Sequence, residues 1–382
     1  MSLVCRRIRS FFASGKNIKN DSKKVHSEHN NFIAKMSLID ASAEGDYFKV
    51  LNLLENGANI NVRNANIYRG HTDGDTALIL ASYRGHTDVV RLLLEHSADV
   101  NACTNTGDTA LILASFFGQT KVVRLLLEHS ADVNACTNTG HTALTLACDK
   151  GHTNVVRLLL KHGVEVNACT NHGDTALILA SCHGHTEVVR LLLEHSADVN
   201  ACNNDGDTAL ILACFKGHTD VVRLLLEHDV DVNAYNNRGN TALTLACNKG
   251  HTEVVRLLLD HGAKVNSCNK HGDTTLITAS FFGHTEVVRL LLERSADVNA
   301  CNNDGDTALI LATFNKHDDT VYILTEAIRY SAARLIQARW RFVNTYPNHI
   351  VCRRRLQREF AECRRQHLSH PSCVQETLEA RV

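Results

Sequence analysis

Apolar positions along this chain fall into one passage that is written again and again. From Gly74 to Thr106 it reads GDTALILASYRGHTDVVRLLLEHSADVNACTNT, and its opening glycine recurs at Gly107, Gly140, Gly173, Gly206, Gly239, Gly272 and Gly305, a period of 33 residues. A fixed period of this length is the mark of stacked supersecondary units. Within the unit, Ala77, Leu78, Leu80 and Ala81 are too densely apolar for a helix with one wet face. The pattern therefore predicts a short, mostly buried helix capped by Thr76 and stopped by a left-handed Gly85. Thr87 is then expected to cap a second helix, with Val89, Leu92 and Leu93 on one stripe, Val90 and Leu94 beside it, and Asp88, Arg91 and Glu95 facing out. Ser97 to Asn101 and the Asn-, Thr- and Gly-rich stretch after them predict an extended finger leading into the next unit.

The period also divides the chain. Residues 1–36 form a basic tail, followed by units at 37–73, 74–106, 107–139, 140–172, 173–205, 206–238, 239–271 and 272–304 and a partial ninth at 305–328. The first unit aligns through Leu38, Ala41, Gly45 and Gly57, and carries a seven-residue insertion near Asn64–His71. One unit cannot bury both of its helices, so stacking is obligatory and the ends must be blunted with polar groups. In the ninth unit Lys316 replaces the helix-stopping glycine and Thr320 replaces a valine, while Tyr322, Ile323 and Leu324 are expected to keep the inward stripe. An amphipathic helix is expected over 329–346 and an Arg-rich tail over 347–382. The fold class is an all-α solenoid of helix-turn-helix units with β-hairpin-like fingers and a C-terminal helix.

The G-x-T-A-L, G-H-T-x-V-V-R-L-L-L and A-D-V-N-A segments, at this period over residues 37–328, resemble the ankyrin-repeat family. The family's usual Thr-Pro-Leu-His reads Thr-Ala-Leu-Ile at Thr76–Ile79 and Thr-Ala-Leu-Thr at Thr142–Thr145. Its Thr–His hydrogen bonding is thus missing, which shifts stability toward Leu and Val packing between neighbours. The resemblance implies a non-enzymatic scaffold that binds a protein partner on a concave face. It also makes asparagines such as Asn101 and Asn200 similar to substrates of an asparaginyl hydroxylase.

Composition narrows the function further. Hydrophobic residues make up 44% of the chain, yet no apolar run approaches the roughly 20 residues of a membrane span. The net charge of −1 conceals an acidic middle between two basic ends, so nucleic acid is not expected along the repeats. Residues 1–24, with Phe11 and Phe12 among basic groups, are faintly similar to an organelle-targeting peptide but fit a disordered tail better, and Met36 offers an internal start.

Fourteen cysteines raise the question of disulfides or zinc. Cys103, Cys136, Cys169, Cys202, Cys268 and Cys301 repeat at one finger position, too far apart for bridging, and no C-x-x-C pair occurs. Cys148, Cys182, Cys214 and Cys247 are expected to pack near the end of the first helix. Free thiols in a reducing, cytoplasmic compartment are the expectation, a nuclear location remaining open. His86, His152, His185, His218, His251 and His284 recur at the inter-helix turn, and His96, His129 and His195 at the end of the second helix. A ladder spreads such groups apart, whereas a metal needs them to converge. No catalytic, cofactor or metal site is therefore expected.

Partner recognition is expected where units differ. Just before the glycine after the first helix they read Tyr83-Arg84, Phe116-Phe117, Asp149-Lys150, Cys182-His183, Phe215-Lys216, Asn248-Lys249, Phe281-Phe282 and Phe314-Asn315. By resemblance this place lines the concave face, and Tyr83, Arg84, Phe116, Phe117, His183, Phe215, Lys216, Phe281 and Phe282 are the candidate contacts, of the aromatic and cationic kinds that binding hot spots favour. The alternative is that one aromatic of each pair is spent in the core between units. Downstream, Ile336, Gln337, Trp340 and Arg341 resemble the first half of an IQ motif, while Phe342 and Tyr346 depart from its second half. That resemblance implies calmodulin or a calmodulin-like partner; a helix capping the last repeat and a membrane-surface helix are the other readings. The competing function is a regulatory adaptor anchored to membrane or cytoskeleton by its basic tails.

Overall fold

The computed structural model describes residues 38–64 and 74–345, with side chains described to Arg334. Among these residues are eighteen helices, two to each repeat. The insertion of repeat one, the N-terminal tail with Met36 and the tail beyond Thr345 lie outside the described residues.

In each repeat the first helix starts because a threonine hydroxyl replaces a backbone partner that the helix cannot supply. Thr76 accepts from the Ile79 amide at 3.3 Å, and Thr109, Thr142, Thr175, Thr241, Thr274 and Thr307 do the same in their repeats. At Thr142 the cap is reciprocal, since the Thr145 hydroxyl accepts from the Thr142 amide at 2.8 Å. The residue that takes the place of the family's histidine thus closes a capping box. The first helix of repeat two, Ala77–Arg84, ends at Gly85 with φ of +79°. It is buried almost all round because it lies against its own second helix and the first helix of the next repeat.

The second helix begins differently from expectation. Its N-cap residue is His86, not Thr87, and makes no side-chain cap bond; the Thr87 hydroxyl instead donates back to the Gly85 carbonyl at 3.4 Å. Similar histidine-started helices follow at Thr153–Lys161, Thr186–Glu194, Thr252–Asp260 and Thr285–Glu293. Val90 and Leu93 are fully buried, and Asp88, Arg91 and Glu95 face water.

The fingers of repeats two to eight hold one isolated antiparallel bridge each, such as Cys103 with Thr109 and Cys268 with Thr274, with no named strand among the described residues. Neighbouring fingers are joined. The Asn138 amide donates to Thr106 and its side chain to Asn105, both at 2.9 Å, and Asn171 repeats both bonds one repeat on. The asparagine that ends each A-D-V-N segment also reaches forward: Asn101 Oδ1 accepts from the Asp132 amide at 2.8 Å, and Asn233 Oδ1 from Lys264 at 2.9 Å.

The described residues fall into two compact units, one running to Ala213 and including Arg223–Val230, the other made of Cys214–Val222 and the residues from Asp231 on. In the second unit the last repeat corrects one expectation. Tyr322 stands 59% exposed, because aligning Val321 and Leu324 with Val90 and Leu93 places it where the outward Arg91 sits in repeat two. Leu324 is buried and Ile323 half-buried, as the inward stripe requires, while Thr320, expected among the polar groups that blunt the end, is buried as well. The second helix of this repeat runs without a break from Asp318 to Thr345.

Candidate functional site

The variable pairs occupy the last turn of each first helix and the residue after it. The first member of a pair is half-buried at Tyr83, Phe116, Asp149, Cys182, Phe215 and Asn248, and exposed at Phe281 and Phe314. The second member is exposed at Arg84, Phe117, Lys150, His183, Lys216, Lys249 and Phe282. None of these aromatic residues is fully buried, though the first members Tyr83, Phe116 and Phe215 are partly covered.

Their backbone is fixed by the turn histidines. The His152 Nε2 donates to the Phe116 carbonyl at 3.0 Å and His185 to Asp149 at 3.0 Å in the first unit. In the second unit His251 donates to Phe215 at 3.3 Å, and His284 to Asn248 and His317 to Phe281 at 3.0 Å. Each ring belongs to the repeat that follows, so the bond that joins two repeats also immobilises the carbonyl of a variable residue while leaving its side chain free. The glycine after each pair makes room: a Cβ on Gly151 would stand 2.5 Å from His185 Nδ1. The second histidine series is local, with His96 Nδ1 donating to the Leu92 carbonyl at 2.9 Å and His195 to Leu191 at 2.9 Å.

In the first unit the side chains touch in sequence. Arg84 lies 5.3 Å from the Tyr83 ring centre, Tyr83 meets Phe117 edge-on at 4.5 Å, and Phe117 meets Phe116 at 4.7 Å. Lys150 covers the other end, 4.9 Å over Phe116, and pairs with Asp149 at 2.9 Å, to which His183 Nδ1 also points at 3.3 Å. In the second unit Lys249 and Lys216 lie 4.7 and 5.6 Å from the one Phe215 ring, and Phe281 packs edge-on to Phe282 at 4.9 Å. Neutral rings held by cations offer a flat apolar surface with charge at its rim, able to grip a chain.

Sequence reasoning passed over Tyr235. It interrupts the finger-cysteine series, is 72% exposed, and borders a shallow recess of about 380 Å³ that Lys264 and Lys270 also line. The interruption itself was the available signal. Cys182 ends its first helix as expected but is less well packed than the others: Ser181 takes the buried position that Cys148 fills in repeat four, leaving Cys182 one residue later and half-exposed. Cys148, Cys214 and Cys247 are fully buried, and burial pushes their thiol pKa values far upward, with Asp149 adding to the effect at Cys148. Among the described residues no three His, Cys, Asp or Glu side chains converge as metal ligands, and no helix is long and apolar enough to cross a membrane. Ile336, Gln337, Trp340 and Arg341 all belong to the helix that ends at Thr345, with side chains outside the described residues.

Comparison with protein families gives a match to a model described as ankyrin repeats (3 copies), over residues 38–135, 130–203, 196–269 and 262–333.

Proposed function

The chain belongs to the ankyrin-repeat family, a protein–protein interaction module, and on that premise we propose that it is a non-enzymatic adaptor whose variable face holds a protein partner. The observation that carries the proposal is the aromatic and cationic series in which histidines from the next repeat hold the carbonyls of half-buried Phe116 and Phe215 while the residues after them, Phe117 and Lys216, stand exposed. Preorganised aromatic groups bind with little ordering cost, which suits a recognition surface. The adaptor works in the cytoplasm. A photocrosslinking residue at position 117 or 282 is expected to capture one and the same protein, and one at position 124 or 256, on the second helices, to capture none. Capture from 124 and 256 with none from 117 and 282 overturns the proposal.

The C-terminal helix supports a second role. Asp318–Thr345 continues past the repeats as one helix that carries the IQ-like residues Ile336, Gln337, Trp340 and Arg341, a basic amphipathic format that calmodulin-like proteins grip. Trp340 fluorescence of a 331–346 peptide should respond to calmodulin and lose that response on Ile336→Asp; no response in the presence or absence of calcium removes this role.

A further inference from the structure

The variable pairs come in two versions of one arrangement. In repeats three and four, Lys150 covers Phe116, and the residue before it, Asp149, neutralises the lysine at 2.9 Å. Three repeats further on, Lys249 covers Phe215 in the same way, but the residue before it is Asn248. Where repeat three has Phe117, repeat six has Lys216, which lies near the same Phe215 ring. Two ammonium groups thus share one phenyl ring without a carboxylate between them. The first helices of repeats seven, eight and nine contribute no acid, since ALTLACNK, TLITASF and ALILATF contain none.

The fingers of the same unit carry further cations among exposed acids such as Asp231 and Asp297. In the fingers of the same unit, exposed Arg238, Lys264 and Lys270 take positions held in repeat two by Thr106, Asp99 and Asn105. Beyond Lys249 the next repeat presents Phe281 and Phe282, 42% and 45% exposed. Cations resting on an aromatic face keep much of their field, because a ring quadrupole attracts them without cancelling their charge. Such a surface is complementary to a carboxylate flanked by an apolar side chain.

We propose that repeats six to eight receive an acidic segment of a protein partner, with a glutamate or aspartate against Lys216 and Lys249 and its apolar neighbour on Phe281 and Phe282. This rests on the variable face being the binding surface and adds the chemistry of what it binds. The repeats supply the control: Asn248→Asp installs the acid that repeat four tolerates at Asp149, so it should neutralise the site and leave the fold intact.

The test is fluorescence anisotropy of the full chain with a 12-residue peptide of alternating glutamate and leucine, its glutamine counterpart, and a version with phosphoserine for glutamate. The glutamate peptide is expected to bind at least about tenfold tighter than the glutamine one, a preference that added salt weakens. Asn248→Asp and Lys249→Gln should each abolish that preference at an unchanged melting temperature. Equal binding of the two peptides, a preference that survives Asn248→Asp, or binding of the phosphoserine peptide alone overturns the inference. Binding of both peptides that is lost on Phe282→Ser would overturn the acid preference and leave the face standing as the binding surface. Absence of any peptide binding together with failure of crosslinking from positions 117 and 282 would overturn both.

Discussion

At the scale of the residue, one buried position shows how the repeats test themselves. Ser42, Ser82, Ser115, Ser181 and Ser280 are fully buried with hydroxyls that find no partner, and the same position in repeats four, six and seven is Cys148, Cys214 and Cys247. A buried hydroxyl without a partner costs its desolvation, whereas a thiol behaves as a small apolar group. Ser115→Cys should therefore stabilise the chain by about 1 kcal/mol, and Cys148→Ser should destabilise it by about as much, read from urea midpoints. The thiols carry a pH dependence of their own. Burial holds the proton on Cys148, Cys214 and Cys247 in the folded chain, while the unfolded chain releases it, so stability is intact below the ordinary thiol range and falls as pH rises above about 8.5. The alternation of Ser and Cys is visible in the sequence; the missing hydrogen-bond partner is not, because it depends on what two neighbouring repeats leave around the hydroxyl.

Element by element, the first helices were legible and the starts of the second helices were not. Thr76 caps locally, three residues from the amide it serves, so its role follows from spacing alone. Thr87 looks like a cap by the same rule, yet the position is governed by His86, whose ring leaves its own helix and reaches the Ala43 carbonyl at 3.0 Å. A contact across 43 residues carries no local signal. Tyr322 was misplaced for a related reason, since hydrophobicity suggested an inward residue and only the register shows that it occupies the arginine position. The turn itself can be taken apart with a double-mutant cycle. His185→Ala removes a 3.0 Å bond and should cost about 1 kcal/mol. Gly151→Ala forces a Cβ into the His185 ring from a backbone at φ of +72° and should cost about 2 kcal/mol or more. Combined, the two should cost less than their sum, because removing the ring relieves the clash; strict additivity would show that the ring does not occupy that space.

For the molecule as a whole, periodicity disclosed the architecture and exceptions to it disclosed the candidate site. Tyr83, Arg84, Phe116, Phe117, His183, Phe215, Lys216, Phe281 and Phe282 were singled out because they vary against a repeating framework; Tyr83, Phe116 and Phe215 are half-buried and the other six exposed. Hidden from the sequence were the pairing of Asp149 with Lys150 and His183, the meeting of Lys216 and Lys249 on Phe215, and the place of Tyr235 beside its recess. Each of these depends on how one repeat meets the next. The acidic middle and basic ends remain properties of sequence that only a partner would interpret.

The central claim is that variable side chains bind a partner on a framework that exists for folding, and the most direct test separates the two. A variant with Tyr83, Phe116, Phe117, Phe215, Phe281 and Phe282 all changed to serine should keep the helical circular dichroism of the parent, because none of these residues is buried in the core. Titrated with the protein captured from positions 117 and 282, it should bind at least about thirtyfold more weakly, the loss of roughly 2 kcal/mol that marks a hot spot. Unchanged affinity in a folded variant would contradict the account.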